Sequence, residues 1–178
     1  MNNIPQDIEY IVIENFLTSK ECDNYIKYID KLFEDMVDID GLEIDGYQRV
    51  RIINKELSIF IEERLSTYYD ISNIYLGDKW FPTKYIKNGG LCIHIDGNAY
   101  DETNVSLYSA LLYLNNDFNG GRTVIVNDYD DEEIITDTTI IIKPEKGKLL
   151  ILNQNILHFA EKINSGEKYI LRGDMFYK

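Results

Sequence analysis

The chain has only two histidines, His94 and His158, and each stands in a pattern suited to a metal site. His94 opens the triplet His94-Ile95-Asp96. His158 opens His158-Phe159-Ala160, ahead of the basic segment Lys168-Tyr169-Ile170-Leu171-Arg172. Two imidazoles and one carboxylate on one face of an iron ion leave the opposite positions open for a cosubstrate and molecular oxygen. On a strand, residues two apart share a face, so His94 and Asp96 project together while Ile93 and Ile95 face the other layer. The third ligand then comes from a distant strand, and His158 lies 64 residues on (158 − 94). Imidazole and carboxylate suit iron(II), and neither Cys22 nor Cys92 is needed, which argues against a structural zinc site. A His-x-Asp triplet alone is a weak signal, and a single strand histidine is more often packed in a core or exposed. The surrounding residues must decide.

The elements that would position these residues follow from periodicity. Residues 8–16 are β-branched and aromatic and predict a first strand. Thr18 and Glu21 have capping-box spacing, and Cys22, Tyr25, Ile26, Ile29, Leu32, Phe33 and Met36 give the next helix one apolar face. Residues 38–46 predict an exposed loop. A second helix is expected from Asn54, a cap, to Tyr69, burying Leu57, Phe60, Ile61, Leu65 and Tyr68. From Trp80, itself expected in the core, strands are expected near 80–87, 91–96, 105–114, 123–127, 134–142, 147–152, 156–160 and 168–177. The acidic run Asp128-Tyr129-Asp130-Asp131-Glu132-Glu133 predicts a solvated loop. Helices followed by a β-rich half make an α+β class, in one domain over 1–178: mainly helical support in 1–79 and a β core in 80–178.

Composition narrows the setting. The 178 residues are 44% hydrophobic and 28% charged, with a net charge of −13. Nucleic-acid binding depends largely on phosphate neutralisation, so no nucleic-acid partner is expected. The same charge favours a neutral or basic substrate. Two cysteines are too few for a disulfide framework, and no signal peptide is read at Met1-Asn2-Asn3-Ile4-Pro5. No apolar run approaches the roughly 20 residues that span a bilayer. The expectation is a reduced, cytoplasmic protein with no membrane partner.

From Lys84 to Tyr177 the sequence resembles the prolyl 4-hydroxylase-like branch of the 2-oxoglutarate- and iron(II)-dependent oxygenases. Lys84-Tyr85-Ile86-Lys87-Asn88-Gly89-Gly90 looks like the family's basic-Tyr-x-x-Gly lead-in to His94-Ile95-Asp96. Leu111-Leu112-Tyr113-Leu114-Asn115 is similar to its Tyr-Leu-Asn strand, and Asn119-Gly120-Gly121-Arg122-Thr123 to its Gly-Gly-x-Thr turn. Pro144-Glu145-Lys146-Gly147-Lys148-Leu149-Leu150 resembles the Pro-x-x-Gly-x-x-Leu turn and strand. His158 to Tyr177, with Gly166-Glu167-Lys168-Tyr169, resembles the closing motif. Each piece is unspecific alone; six in the right order are not.

The resemblance implies a double-stranded β-helix, or jelly roll, with N-terminal supporting helices. It implies iron on His94, Asp96 and His158, which serve as the catalytic metal ligands. Lys168 would pair with the far carboxylate of 2-oxoglutarate, a role for which an ammonium suffices as a point charge. Arg172, on the same strand face, is the substitute or supporting partner; otherwise it is exposed or paired with Asp174. Tyr85 and Tyr113 match tyrosines near the cosubstrate, with plain packing as the rival account. Cys92 shares the face of His94 and is expected as a small buried filler. Asn98 and Tyr100 would lie in a mobile, substrate-facing loop. Leu91 replaces a tyrosine that many relatives carry three residues before the first histidine, which puts the cosubstrate bonding pattern and the transfer of substrate class in doubt.

The implied chemistry is decarboxylation of 2-oxoglutarate to succinate and carbon dioxide, coupled to hydroxylation, with ascorbate as a further cofactor candidate. Related halogenases lack the carboxylate, so Asp96 favours hydroxylation. The implied substrate is first a prolyl residue of a protein or peptide, then another residue, a free amino acid or another small molecule. A non-catalytic metal-binding β-helix module and a zinc or nickel cupin-type enzyme are the alternatives. The first would be expected to lose a ligand or the cosubstrate cation; the second leaves Lys168 without a role.

Overall fold

In the central segments both odd and even positions are apolar, which calls for a sheet covered on both faces. The computed structural model describes residues 2–35, 46–126 and 139–178. Its N-terminal part contains β1 (Tyr10–Ile13), α1 (Ser19–Asp35), β2 (Tyr47–Arg49), β3 (Ile52–Ile53) and α2 (Lys55–Leu65). Then come β4 (Ile74–Tyr85), β5 (Leu91–His94), β6 (Ser106–Tyr113), β7 (Asn119–Gly120), β8 (Thr123–Ile125) and β9 (Ile140–Ile142). The chain ends through β10 (Leu149–Asn153), β11 (His158–Ala160), β12 (Ile163–Ser165) and β13 (Lys168–Tyr177).

A large antiparallel sheet runs β1-β10-β6-β13-β4-β2, with β3 also paired to β4. A smaller sheet runs β5-β11-β8-β9, and β12 pairs with β7. The two parities of the large sheet serve different cores. Ala110, Leu112, Leu149, Ile151, Tyr169 and Leu171 pack with Cys22 and Ile29 of α1 and with Leu57, Ile61 and Leu65 of α2. Their neighbours Leu111, Tyr113, Leu150, Leu152 and Ile170 pack with Ile125 and Ile142 of the smaller sheet. Two facing sheets, with helices outside one of them, are the α+β jelly roll that the sequence predicts.

Several local expectations hold. Thr18 N–H donates to Glu21 Oε2 at 2.7 Å, and Glu21 N–H donates back to Thr18 Oγ1 at 3.3 Å. Asn54 Oδ1 accepts from Leu57 N–H at 2.9 Å. Trp80 is buried and donates its Nε1–H to Ser58 Oγ at 2.9 Å.

Other expectations need correction. α2 stops at Leu65, where Ser66 and Thr67 hydroxyls cap carbonyls of Glu63 and Arg64, so Tyr68 is 43% exposed instead of buried. β4 starts at Ile74 and continues through residue 79, the expected boundary between support and core. β1, β2 and β3 join the same sheet, so the two parts share it. Met36, most of the 38–46 loop, the acidic run 128–133 and the first part of the strand expected over 134–142 lie outside the described residues.

Glu21 also joins the helices. Arg64 of α2 donates from Nη1 and Nη2 to its two carboxylate oxygens, each at 2.7 Å, and Nη1 also reaches Phe16 O at 3.0 Å. This bidentate pair, opposed by partial burial, holds the Glu21 pKa down at about 2. Because the folded value lies below the unfolded one of 4.5, the contribution is fully present above that pH. It is lost as pH falls through about 2. The pair is partly exposed, so Glu21→Ala is expected to cost about 1–2 kcal/mol at neutral pH, cap included. Urea unfolding of both proteins should show that difference shrink as the medium is acidified across this window.

Candidate metal centre and its hollow

The sheets place the two histidines face to face. In the β5–β11 ladder His94 and His158 are register partners, with ring centres 4.3 Å apart. Each ring nitrogen Nδ1 lies against a carbonyl two residues back: His94 on Cys92 O at 2.8 Å and His158 on Ile156 O at 2.9 Å. A carbonyl only accepts, so Nδ1 carries the proton in both rings and each Nε2 presents a lone pair. Both Nε2 atoms face Asp96 Oδ1, at 3.6 Å from His94 and 4.0 Å from His158. The three ligand atoms lie within 4.8 Å of one another. Lone pairs converging this way call for a cation between them, and two imidazoles with one carboxylate fit iron(II).

Asp96 is held by its other oxygen. Oδ2 accepts from Ser109 Oγ at 2.5 Å and from Arg172 Nε at 3.3 Å. Burial alone would raise its pKa, but His94, Arg172 and Ser109 outweigh burial and keep the carboxylate ionised, far below the usual range. Support continues inward. Arg172 Nη2 meets Ser109 Oγ and Asp174 Oδ1, each at 3.0 Å. Gln154 donates to Asp174 Oδ1 at 3.0 Å and accepts from Ser106 Oγ at 2.7 Å. Ser106 Oγ in turn accepts from Ala99 N–H at 2.7 Å, so the chain just beyond Asp96 is anchored to the same buried network. Metal sites depend on such outer partners to aim their ligands.

β5 ends at His94, so Asp96 lies past the strand. The alternation expected along 91–96 is also broken by a bulge: Ala160 pairs with Leu91 while His158 pairs with His94. Four residues of β5 (91–94) therefore oppose three of β11 (158–160), and the faces shift. Leu91 lines the hollow with His94, whereas Cys92 is exposed, not a buried filler. Asn98 and Tyr100 are exposed beyond Asp96 and do not line the hollow. Their loop is tied by Asp101 Oδ1, which accepts from the backbone of Thr103 and Asn104, each at 2.8 Å.

The hollow beside the ligands is walled by Tyr85, Leu111, Thr123 and Ile170 and contains Lys168. Lys168 is buried, and its Nζ donates to Gly121 O at 2.6 Å. Tyr85 and Tyr113 place their ring centres 5.3 and 5.5 Å from that nitrogen. No carboxylate pairs with Lys168 among the described residues, and burial pulls its pKa down to about 7. Gly121, at φ +67°, is confined to glycine: a Cβ there would lie 2.4 Å from Ile163 Cδ1 and 3.3 Å from Lys168 Cδ. Tyr113 stands beside Lys168 but does not line the hollow, and its hydroxyl bonds Thr123 Oγ1 at 2.8 Å. Arg172, by contrast, is already matched by Asp96 and Asp174.

Sequence reasoning missed Ser109, Gln154 and Arg49. Ser109 was within reach, since it precedes Leu111 and Tyr113 at the strand period. Gln154 gives no such signal, and Arg49 enters the hollow only through the pairing of the three-residue β2 with β4.

No family model matches the chain, and no curated protein matches it in sequence. Solved structures do match. A viral collagen prolyl hydroxylase from Paramecium Bursaria Chlorella virus-1, in complex with 2-oxoglutarate, aligns with TM-score 0.68 at 18% identity over 99% of both chains. A prolyl-4-hydroxylase from Pseudomonas putida aligns with TM-score 0.70 at 14% identity, over 97% of this chain and 94% of the other. A prolyl hydroxylase from Trichoplax adhaerens, in complex with a hypoxia inducible factor peptide fragment, aligns with TM-score 0.66 at 21% identity, over 94% and 82%. At these identities the likeness is one of fold, and it is the double-stranded β-helix expected from the motifs.

Proposed function

We propose that the chain is a 2-oxoglutarate- and iron(II)-dependent dioxygenase that hydroxylates an amino-acid side chain, a prolyl residue of a protein or peptide. Succinate and carbon dioxide would be the coproducts. The observation that carries this reading is the pairing of two features in one hollow: three converging groups able to hold a metal, and a buried lysine with no carboxylate partner among the described residues. A structural metal site has no use for such a lysine. A dicarboxylate cosubstrate does.

His94, Asp96 and His158 would hold the iron from one side. Bound there with 2-oxoglutarate, iron(II) supplies the oxidising chemistry that couples loss of carbon dioxide to oxygen insertion into a C–H bond. Asp96 stays ionised and keeps Oδ1 for the metal, because Ser109 and Arg172 occupy Oδ2. Lys168 would receive the far carboxylate, and Tyr85, Leu111 and Ile170 would wall the apolar stretch between. Those walls limit water around the reacting centre. The three prolyl hydroxylases among the matched folds, one of them holding a peptide, support a peptidyl substrate.

The test is anaerobic titration of the full chain with iron(II) and then 2-oxoglutarate, followed by aerobic incubation with prolyl peptides. Saturable binding of both, succinate release and a one-oxygen mass gain in a peptide are expected. Uptake of neither iron nor 2-oxoglutarate would overturn the proposal.

A further inference from the structure

Three cations line one hollow in a chain of net charge −13: Lys168, Arg172 and Arg49. Arg172 is neutralised by Asp96 and Asp174, and Lys168 is committed to the cosubstrate in the reading above. Arg49 has neither fate. It ends β2, opposite Thr83 of β4, which in turn pairs with Ile170 of β13. Two residues along, the next row on the same face holds Tyr47, Tyr85 and Lys168. Arg49 therefore stands at the β2 edge of the sheet, on the face that carries the lysine.

Its position is fixed without using up its charge. Nε–H donates to Thr83 Oγ1 at 3.3 Å, and the guanidinium carbon lies 5.9 Å from the ring centres of both Tyr47 and Phe81. Neither terminal nitrogen has an acceptor, and no carboxylate pairs with the group, among the described residues. A half-buried guanidinium with an unfilled planar fork matches a carboxylate through two parallel hydrogen bonds.

We propose that Arg49 is the substrate anchor, binding a carboxylate carried by the molecule to be hydroxylated close to the target carbon. This rests on the dioxygenase reading, which assigns the cosubstrate's far carboxylate to Lys168. It also reverses the neutral or basic substrate suggested by net charge. Exposed acidic groups are screened beyond roughly 8–10 Å by salt, whereas a fixed cation inside a hollow acts at contact. The carboxylate is either the α-carboxylate of a free amino acid or the side chain of an acidic residue beside the target. Either would be oriented as well as bound.

The test is anaerobic calorimetry on the iron- and 2-oxoglutarate-loaded full chain with two matched pairs. One pair is L-proline and L-prolinamide; the other is blocked Ala-Pro-Glu-Ala and blocked Ala-Pro-Gln-Ala. The carboxylate member of one pair should bind about 10- to 100-fold tighter, and the pair that discriminates identifies the source of the carboxylate. Arg49→Gln should erase that preference, and Arg49→Lys should restore part of it. An unaltered preference in Arg49→Gln, or none in the parent protein, overturns the assignment. Failure of the parent to bind 2-oxoglutarate would instead overturn the dioxygenase reading.

Discussion

Asp96→Ala is expected to abolish iron binding and succinate formation while leaving the fold in place. The substitution removes the one oxygen that both Nε2 atoms face, at 3.6 and 4.0 Å. Two imidazoles alone make a poor site for iron(II), so the loss should exceed the roughly 10- to 100-fold cost of removing an outer partner. Folding should survive because Arg172 keeps Asp174 at 3.0 Å, and Ser109 keeps Arg172 and Gln154. His158→Ala should behave in the same way toward metal. Iron content after anaerobic reconstitution, with a thermal melt alongside, checks both. Retained 2-oxoglutarate turnover in either variant contradicts the ligand assignment.

The second large effect is at Lys168. Lys168→Ala removes the only cation in the hollow that is deeply buried and unpaired among the described residues, and in the proposed reading would leave the far carboxylate of 2-oxoglutarate without a partner. Breaking a buried pair costs about 3–5 kcal/mol, so the 2-oxoglutarate requirement should rise by roughly two to four orders of magnitude. Arg172→Ala should raise it far less and act mainly through the aim of Asp96. The reverse order would move the salt bridge to Arg172.

A pH dependence accompanies this. Burial lowers the Lys168 pKa from 10.5 to about 7 in the folded protein, so the charged form is penalised there. Between those values the unfolded chain binds more protons. Stability from this residue therefore rises with pH across the window, and its penalty is fully present below about 7. Cosubstrate binding has the opposite slope, because a carboxylate draws a proton onto the amine. Affinity for 2-oxoglutarate should be flat below about pH 7 and fall by up to about tenfold per pH unit above it. Lys168→Ala should abolish that slope, as calorimetry across the range would show.

The clustering of His94, Asp96 and His158 was legible in the sequence because histidine is so scarce and the motifs kept their order. The face of β13 was legible too: Lys168, Ile170 and Arg172 alternate as a strand requires, and all three line the hollow. What escaped depends on register. Cys92 was misplaced because a bulge is a property of the β5–β11 pairing, not of either segment. The short strands β2, β3, β7 and β12, of two or three residues each, carry too few positions to show a period. Arg49 belongs to one of them, and no local signal sets it apart from the other basic residues. Arg172 was ambiguous because only distance distinguishes a cation that is already matched from one that is free.

The two Nδ1 bonds to Cys92 O and Ile156 O have a wider consequence. Both acceptors are main-chain atoms, so the orientation of each imidazole is inherited from the path of its own chain segment. Exchange of the side chains around the rings then leaves the aim of both imidazoles in place, whereas Asp96 keeps its aim only while Ser109 and Arg172 are present.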